Sequence, residues 1–322
     1  MKVAVLKGGR GLERQVSLRS GARVEDALGS LGHEVLPIDV GADLVSVLKV
    51  ERPEAAFVAL HGPGGEDGTV QELLEILRIP YTGPGVRACV RSIDKVAAKH
   101  ELRAAGVPTP DWAAFNALAF RELGAGDALE EIESGLGFPL VVKPAAGGSS
   151  LGVRFAADAD RVPEALVAAF SYDDRVLLER HVSGREIAVS LIAGIALPAV
   201  EARPREEDRF NYEARYEIGR TDYVCPADLG AAEGPVLDAA LRTWDALGFD
   251  AFGRVDMIVT DDGPQVLEAN AIPGLTDTSL LPMAAEAAGM SFERLCERLL
   301  ELALERGREA PVGSVDAAAD RN

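Results

Sequence analysis

The sequence predicts an α/β protein that begins with a parallel sheet and continues into a mixed α+β part. Apolar runs of strand length lie at 3–6, 34–38 and 55–60, and helical patterns lie between them at 45–50 and 70–77. Strands that alternate with helices are typical of βαβ units and a parallel sheet. The length of 322 residues suits two or three domains.

Turn clusters and changes in periodicity divide the chain into segments. Gly83-Pro84-Gly85 is a strong turn cluster that closes the first unit. We predict an N-terminal α/β domain at 1–88, a central α+β unit at 89–182, a C-terminal unit at 183–306 and a disordered tail at 307–322.

Within the later segments, the apolar runs at 187–193 and 195–200 predict two strands, and 236–247 predicts a helix. Residues 203–222 are polar and charged without a period. A loop of that length in a compact domain is usually a lid or a binding loop.

Composition narrows the classes of function. The net charge is −19, which argues against nucleic acid because binding to nucleic acid depends on cationic contacts to phosphate. Any anionic ligand therefore needs a local cationic pocket. No apolar run is long enough to span a membrane, and the N-terminus lacks the features of a signal peptide, so we expect a cytoplasmic protein. The three cysteines are far apart and indicate neither a metal site nor a disulfide.

A hairpin near the C-terminus brings acidic side chains together. Arg254 and Asp256 share one face of a strand at 252–260, and Glu268 and Asn270 share one face of a strand at 265–269 and beyond. A three-residue loop, 261–263, would pair Thr260 with Pro264 and place Asp256 opposite Glu268.

Directly opposed carboxylates destabilise a sheet, so a cation must neutralise them. Oxygen ligands suit Mg²⁺ carried by a nucleotide phosphate. The alternative is a solvated acidic face with Arg254 as its partner, but the apolar flanking residues favour the metal.

A glycine-rich segment, KPAAGGSSLG, follows a predicted strand at 139–143. Such loops expose backbone N–H groups that can bind phosphate, although an ordinary flexible turn is an equal alternative. The order differs from a Walker A motif, in which the lysine follows the glycines. Gly148 to Gly152 also matches the nucleophile elbow of α/β-hydrolases, but a short apolar run, 153–155, follows in place of the helix, and the only later histidine, His181, is too close in sequence for the triad of that fold.

The N-terminal segments contain a second glycine-rich loop. His61 opens the loop HGPGGEDG after a strand, where it either caps the loop or takes part in a site. A dinucleotide-binding interpretation of the first loop fails because Arg14 stands where the third glycine belongs.

Together these segments resemble the D-alanine–D-alanine ligases of the ATP-grasp superfamily. The segments that carry the resemblance occur in the order of the family over residues 1–306: GGRGLERQVSLRSG, ALHGPGGEDGTVQ, PYTGPG, SIDK, VVKPAAGGSSLG, EARY, GRVDM and LEANAIPGLTDTSLLP. The resemblance implies an N-terminal domain that binds the first substrate and two further domains that hold ATP between them. It also implies a homodimer. ATP would phosphorylate the carboxylate of the first D-alanine, and the amine of the second would attack the acylphosphate.

The resemblance also implies a role for each matching residue. Catalytic roles fall to Glu13, Ser149, Tyr216, Arg254 and the Gly274 backbone; D-alanine binding to Glu13, His61, Arg254, Ser279 and Leu280; ATP binding to Lys95, Lys143, Ser149, Ser150, Glu179, Arg180, Val182, Glu186 and Arg215; and binding of two Mg²⁺ ions, replaceable by Mn²⁺, to Asp256, Glu268 and Asn270.

Three matters stay open at this point. Relatives often carry lysine where Arg180 and Arg215 stand. A D-alanine–D-lactate ligase, or another D-amino-acid ligase of the same fold, is the closest alternative. A two-lobed small-molecule-binding protein is the alternative from another class, although it would not need opposed carboxylates beside lysines.

Overall fold

The computed structural model describes residues 1–148, 150–204 and 221–309. It contains a parallel sheet and two antiparallel sheets, which confirms the mixed α/β class. Among the described residues, the strands are β1 (Lys2–Lys7), β2 (Glu34–Asp39), β3 (Ala55–Val58), β4 (Trp112–Asn116), β5 (Leu140–Pro144), β6 (Arg154–Ala156), β7 (Arg175–Arg180), β8 (Arg185–Ile192), β9 (Ile195–Ala196), β10 (Val200–Pro204), β11 (Thr221–Val224), β12 (Phe252–Thr260) and β13 (Gly263–Asn270).

The helices are numbered in chain order in the same way. The α-helices are α1 (Arg14–Ser30), α2 (Leu44–Glu51), α3 (Thr69–Ile76), α4 (Val86–Ile93), α5 (Lys95–Ala104), α6 (Ala117–Glu122), α7 (Leu129–Leu136), α8 (Val162–Phe170), α9 (Glu233–Leu247), α10 (Leu280–Ala287) and α11 (Phe292–Glu309). Short 3₁₀ turns lie at Ala125–Ala128, Ala159–Arg161 and Gly230–Ala232.

The N-terminal sheet is parallel, as the alternation of strands and helices predicts. Its order is β2-β1-β3. The side chains of β1 are buried on both faces, as expected for a central strand covered by helices. One face packs in a core with Leu28 of α1 and Phe57 of β3, and that core continues into the C-terminal part of the chain. The N-terminal sheet is therefore packed directly against the C-terminal unit.

The central sheet has the order β4-β7-β5-β6 and all its pairs are antiparallel. Its inner face packs on α8 through Val142, Leu166 and Leu178. Because β5 and β7 are antiparallel neighbours, Lys143 and Glu179 lie at diagonal positions on one face of this sheet, and their side chains meet.

The C-terminal sheet has the order β11-β10-β8-β12-β13, with β9 paired to β8. Helices α4 and α5 contact β13 and α9, so the segment 86–104 packs on this sheet as well. The proposed divisions at 88 and 182 stay predictions.

Three boundaries expected from the sequence are wrong. The run at 195–200 is two strands, β9 and β10, separated by an irregular segment that contains Pro198, which has no N–H for a sheet. The predicted loop 203–222 has paired ends, since Arg203 lies opposite Asp222. The predicted tail at 307–322 begins too early, because α11 continues to Glu309. Residues 310–322 lie outside the described part.

Within the described residues, no helix is both long enough and apolar enough to cross a bilayer.

Candidate active site

One cleft between the central and C-terminal sheets contains most of the residues that the sequence singles out. It is lined by β5 and β7 on one side and by β8, β10, β12 and β13 on the other. The predicted site residues on its wall are Lys95, Lys143, Ser150, Glu179, Arg180, Val182, Glu186, Arg254, Asp256, Glu268, Gly274, Ser279 and Leu280. Asn270 lines an adjoining recess together with Lys95 and Glu268. Ser149, Arg215 and Tyr216 lie outside the described residues.

The acidic hairpin has the expected pairing and an unexpected turn. Asp256 lies opposite Glu268, and Arg254 lies opposite Asn270. However, Thr260 pairs with Gly263, so the predicted three-residue loop is wrong. A β-bulge between Asp256 and Met257 shifts the register by one residue and restores the expected pairing. A bulge inserts one extra residue into one strand and often re-aims side chains near a site.

The carboxylate of Asp256 is buried, with 5% of the residue exposed. Arg254 donates from Nε and Nη2 to its two oxygens at 2.7 Å each. Asn270 Nδ2 donates to Asp256 Oδ2 at 3.0 Å. Lys95 Nζ lies 3.5 Å from Glu268 Oε2. Arg254 and Lys95 are therefore the cations beside these carboxylates. Asp256 is buried and not solvated as the alternative has it, but Arg254 is its partner, as that alternative expects.

This donor set fits a magnesium ion. It offers carboxylate oxygens of Asp256 and Glu268 and an amide oxygen of Asn270, which are hard ligands of the kind that Mg²⁺ prefers. Within the described residues, no cluster of three or more His, Cys, Asp or Glu side chains is arranged to hold a metal, and the set at this hairpin comprises two carboxylates and one amide.

The glycine-rich loop is anchored at its base. The Ala146 N–H donates to Asp173 Oδ2 at 2.7 Å, and Lys95 Nζ donates to the Gly147 carbonyl at 2.5 Å. Gly147 (φ +102°) and Ser150 (φ +56°) have left-handed backbone conformations. Left-handed residues occur in the backbone turns that direct N–H groups at an anion, as in phosphate-binding loops.

A buried ion cluster that the sequence did not indicate supports the lysine of this loop. Glu179, which is 2% exposed, accepts from Lys143 Nζ at 2.6 Å, and Lys99 Nζ lies 2.5 Å from its other oxygen. Burial lowers the pKa of Lys99 to about 8 despite the attraction of Glu179. Burial acts to raise the pKa of Glu179, but the two ammonium groups outweigh it and lower that pKa.

Lys99 could have been noticed from its position. It follows Lys95 by four residues on one helix, in a chain with six lysines, so the two share a face. Its fully buried side chain also donates to Thr109 Oγ1 at 2.6 Å and to the Pro110 carbonyl at 3.0 Å.

Glu13 and His61 lie on the N-terminal side of the glycine-rich loop. Glu13 is 6% exposed, and its carboxylate lies so close to Gly62 and Gly148 that a Cβ at either glycine would be 2.4 or 3.3 Å from it. A side chain at Gly62 would therefore displace this carboxylate, and one at Gly148 would press on it. His61 Nδ1 lies 3.2 Å from the Ile272 carbonyl, which ties this loop to the C-terminal unit.

Ser279 caps the start of α10 without a side-chain hydrogen bond to that helix. Its Oγ accepts from the Thr276 N–H at 3.0 Å and lies 2.9 Å from Thr276 Oγ1. A Cβ at Gly274 would lie 2.8 Å from the same Oγ, so Gly274 and Ser279 are adjacent on the cleft wall.

At the other end of the cleft, Glu186 on β8 pairs with the small residue Ala202 on β10 and with the apolar residue Ile258 on β12. All three residues line the wall. Arg180 has a half-exposed side chain whose guanidinium lies 3.9 Å from Asp111. Together with Val182, these residues give this end an apolar wall with polar groups at its edge.

The chain matches two family descriptions. Residues 46–84 match "D-ala D-ala ligase N-terminus" and residues 102–301 match "D-ala D-ala ligase C-terminus". D-alanine–D-alanine ligases are similar over nearly the whole chain: that of Syntrophotalea carbinolica is 44% identical, covering 93% of this chain and 95% of the relative. That of Gloeobacter violaceus is 42% identical, covering 95% of this chain and 100% of the relative.

Solved structures give the same result. The D-alanine–D-alanine ligase from Bacillus anthracis complexed with ATP has a TM-score of 0.82 and 34% identity, covering 97% of this chain and 100% of that one. The VanG D-Ala:D-Ser ligase from Enterococcus faecalis has a TM-score of 0.78 and 27% identity, covering 94% of this chain and 99% of that one. The expected ATP-grasp fold is confirmed.

Proposed function

The chain belongs to the D-alanine–D-alanine ligase family, and from that premise we propose that it joins two D-alanine molecules at the expense of ATP for the synthesis of peptidoglycan precursors. The observation that carries the proposal is the pair of opposed carboxylates, the buried Asp256 and the half-buried Glu268, in one cleft with Lys95 and Lys143. The alternative of a D-alanine–D-lactate ligase is not favoured, because the curated relatives are D-alanine–D-alanine ligases.

ATP would lie in the cleft between the central and C-terminal sheets. Lys95 and Lys143 supply positive charge, and the backbone of the glycine-rich loop, with Ser149 and Ser150, supplies N–H and hydroxyl donors for the phosphates. Glu179, Arg180, Val182 and Glu186 would bind the adenosine part from the far end of the cleft, and Arg215 would add a cation.

Asp256, Glu268 and Asn270 would hold Mg²⁺, or Mn²⁺ in its place, with two ions expected from the family. The metal would neutralise phosphate charge when bound. Arg254 donates hydrogen bonds to Asp256 and lines the cleft, so its guanidinium is already within the part of the cleft where the reacting carboxylate would lie.

The carboxylate of the first D-alanine is a poor acyl donor until its oxygen is phosphorylated. Glu13, with His61 beside it, would bind the ammonium of that first substrate and fix its position. Arg254 and the Gly274 N–H would stabilise the negative charge that develops when the second amine attacks the acylphosphate. Ser279 and Leu280 would bind the carboxylate of the second D-alanine, and Tyr216 would connect Glu13 with Ser149.

Phosphate release from ATP, measured with each D-amino acid in turn, tests the reaction. D-alanine should support release and yield D-alanyl-D-alanine, and Glu268→Gln should abolish Mg²⁺-dependent turnover without loss of the fold. Asp262→Asn is the matched control, because Asp262 lies exposed at the turn of the same hairpin. Normal turnover by Glu268→Gln would refute the metal assignment. If none of the D-amino acids supports phosphate release, the ligase assignment is refuted.

The family resemblance also supports a homodimer that works in the cytoplasm, where its substrate ATP is made. Sedimentation of the purified protein at several concentrations tests the dimer, and cell fractionation tests the compartment.

A further inference from the structure

The segment that follows the metal hairpin is irregular and needs partners from elsewhere. Residues 271–279 connect β13 to α10 without regular secondary structure, and they carry Gly274 and Ser279. Buried backbone N–H and C=O groups in such a segment must be paired by other elements, since an unpaired group costs free energy. The partners come from α1, at the other end of the sequence.

Arg23 on α1 holds three consecutive residues of this segment. Its Nη1 donates to the carbonyls of Leu275 and Thr276 at 3.1 Å each, and its Nε lies 3.1 Å from Asp277 Oδ1. The guanidinium also lies over the ring of Phe292, 3.8 Å from its centroid. A planar donor that is stacked on one face loses little freedom when it binds two carbonyls, which makes it a rigid support.

Ser20, three residues before Arg23 on the same face of the helix, holds the opposite side of the segment. Its Oγ accepts from the Leu275 N–H at 3.2 Å and lies 3.0 Å from His61 Nε2. His61 Nδ1 lies 3.2 Å from the Ile272 carbonyl and 3.7 Å from Glu66 Oε1, so it faces two acceptors and is placed as a donor. Ser20 therefore links this ring to the Leu275 N–H.

These contacts reach the substrate-binding groups through Thr276. Its carbonyl accepts from Arg23 and also from the Ser279 N–H, at 3.0 Å. Its N–H and its hydroxyl both contact Ser279 Oγ. A shift of Thr276 would therefore move Ser279 directly.

We propose that Arg23 and Ser20 are positioning residues, which hold 272–276 so that the Gly274 N–H and Ser279 face the carboxylate of the second D-alanine. This role rests on the proposed function. Since Arg23 contacts neither the cleft wall nor the nucleotide-binding residues in any described contact, its effect should be confined to the second substrate.

The kinetic arm uses Arg23→Gln and Arg23→Lys. Arg23→Gln should raise KM for the second D-alanine about tenfold, which is the scale of one lost hydrogen bond to a charged group, while KM for ATP stays within about twofold. Arg23→Lys keeps the charge without the planar fork and should be intermediate. The control is Arg19→Gln, which removes an exposed arginine from the same helix and should leave both D-alanine KM values unchanged.

The second arm is independent of catalysis. Hydrogen exchange of the ligand-free protein should become faster in peptides that cover 271–279 in both Arg23→Gln and Ser20→Ala, and should stay unchanged in peptides that cover 252–260. Unchanged exchange at 271–279 would overturn the proposal. Faster exchange together with an unchanged KM for the second D-alanine would overturn it as well. An equal rise in KM for ATP and in KM for the second D-alanine would also overturn the proposal, because it would indicate general damage to the protein. If the wild type makes no dipeptide at all, the proposed function fails, while the exchange arm still tests the contact.

Discussion

Replacement of Glu201 by glutamine should destabilise the protein strongly at pH 7 and weakly at pH 3. Glu201 lies on β10, beside the cleft residue Ala202, and is 5% exposed. It accepts from Arg185 Nε at 2.9 Å and Nη2 at 2.7 Å, and from Arg203 Nη2 at 2.7 Å. The hydrogen bonds from Arg185 and then Arg203 lower the pKa of Glu201 from its ordinary value of 4.5 to about 2, against the effect of burial.

The size of the effect follows from this difference in pKa. At about 1.4 kcal/mol for each tenfold change in proton affinity, the shift corresponds to roughly 3 kcal/mol of stability at pH 7. The side chains of Arg185 and Arg203 are 38% and 54% exposed, so screening by water reduces the expected loss to about 2 kcal/mol. Because the folded-state pKa is lowered, the contribution is complete above pH 4.5 and is lost as the pH falls towards 2. We expect about 1 kcal/mol at pH 3.

Urea unfolding at pH 7, 4 and 3 measures this difference between the wild type and Glu201→Gln. Glu164→Gln is the control, because its pair with Arg161 at 3.3 Å joins two mostly exposed side chains. We expect the control to change the free energy of unfolding by less than about 0.5 kcal/mol at any pH. An equal loss in Glu201→Gln at pH 7 and pH 3 would show that packing, and not charge, accounts for the effect.

Three further predictions concern the site and its frame. Tyr216→Phe should lower dipeptide synthesis relative to D-alanyl-D-lactate synthesis when D-alanine and D-lactate compete, since a hydroxyl can help to remove the amine proton. About 1.4 kcal/mol of differential stabilisation changes the product ratio tenfold. An unchanged ratio would show that Tyr216 does not determine specificity. Asp173→Asn should raise KM for ATP with D-alanine constants unchanged, because the carboxylate anchors the Ala146 N–H at the base of the glycine-rich loop; equal effects on both substrates would argue against this. Gly184→Ala should lower the free energy of unfolding, measured in urea, by about 1–3 kcal/mol, because its Cβ would lie 2.4 Å from a carbonyl of β12. Gly135→Ala is the control: this residue lies in a helix with open space around it, so its replacement should be neutral or stabilising.

The hairpin illustrates what the sequence could and could not predict. The side-chain alternation placed Arg254 and Asp256 on one face, and the structure confirms this. The pairing of Asp256 with Glu268 was also correct, although it was derived from a turn that is wrong. The two-residue turn and the bulge each shift the register by one, in opposite directions. A bulge depends on tertiary packing and has no local signature in this segment, so turn chemistry alone could not reveal it.

Contacts between distant segments were beyond the local patterns. Lys99 was visible as a lysine on a helical face, but its pairing with Glu179 depends on how α5 packs beside the central sheet. Arg23 and Thr276 are far apart in sequence, and nothing near either residue indicates the other. Periodicity identifies strands and helices, whereas the partners of irregular segments are fixed only when whole elements pack together.

The charge of the cleft shows how an acidic protein can bind an anionic ligand. The net charge of −19 led to the prediction of a local cationic pocket, and the cleft contains Lys95, Lys143 and Arg254. Each of these cations already contacts a carboxylate: Glu268, Glu179 and Asp256, respectively. These pairs hold the lysines and the arginine within the cleft before any ligand arrives. The carboxylates that orient the cations are, at Asp256 and Glu268, the same groups proposed to bind the metal. We therefore expect metal and nucleotide to bind together, since metal on these carboxylates would leave Lys95 and Arg254 available for phosphate and the reacting carboxylate.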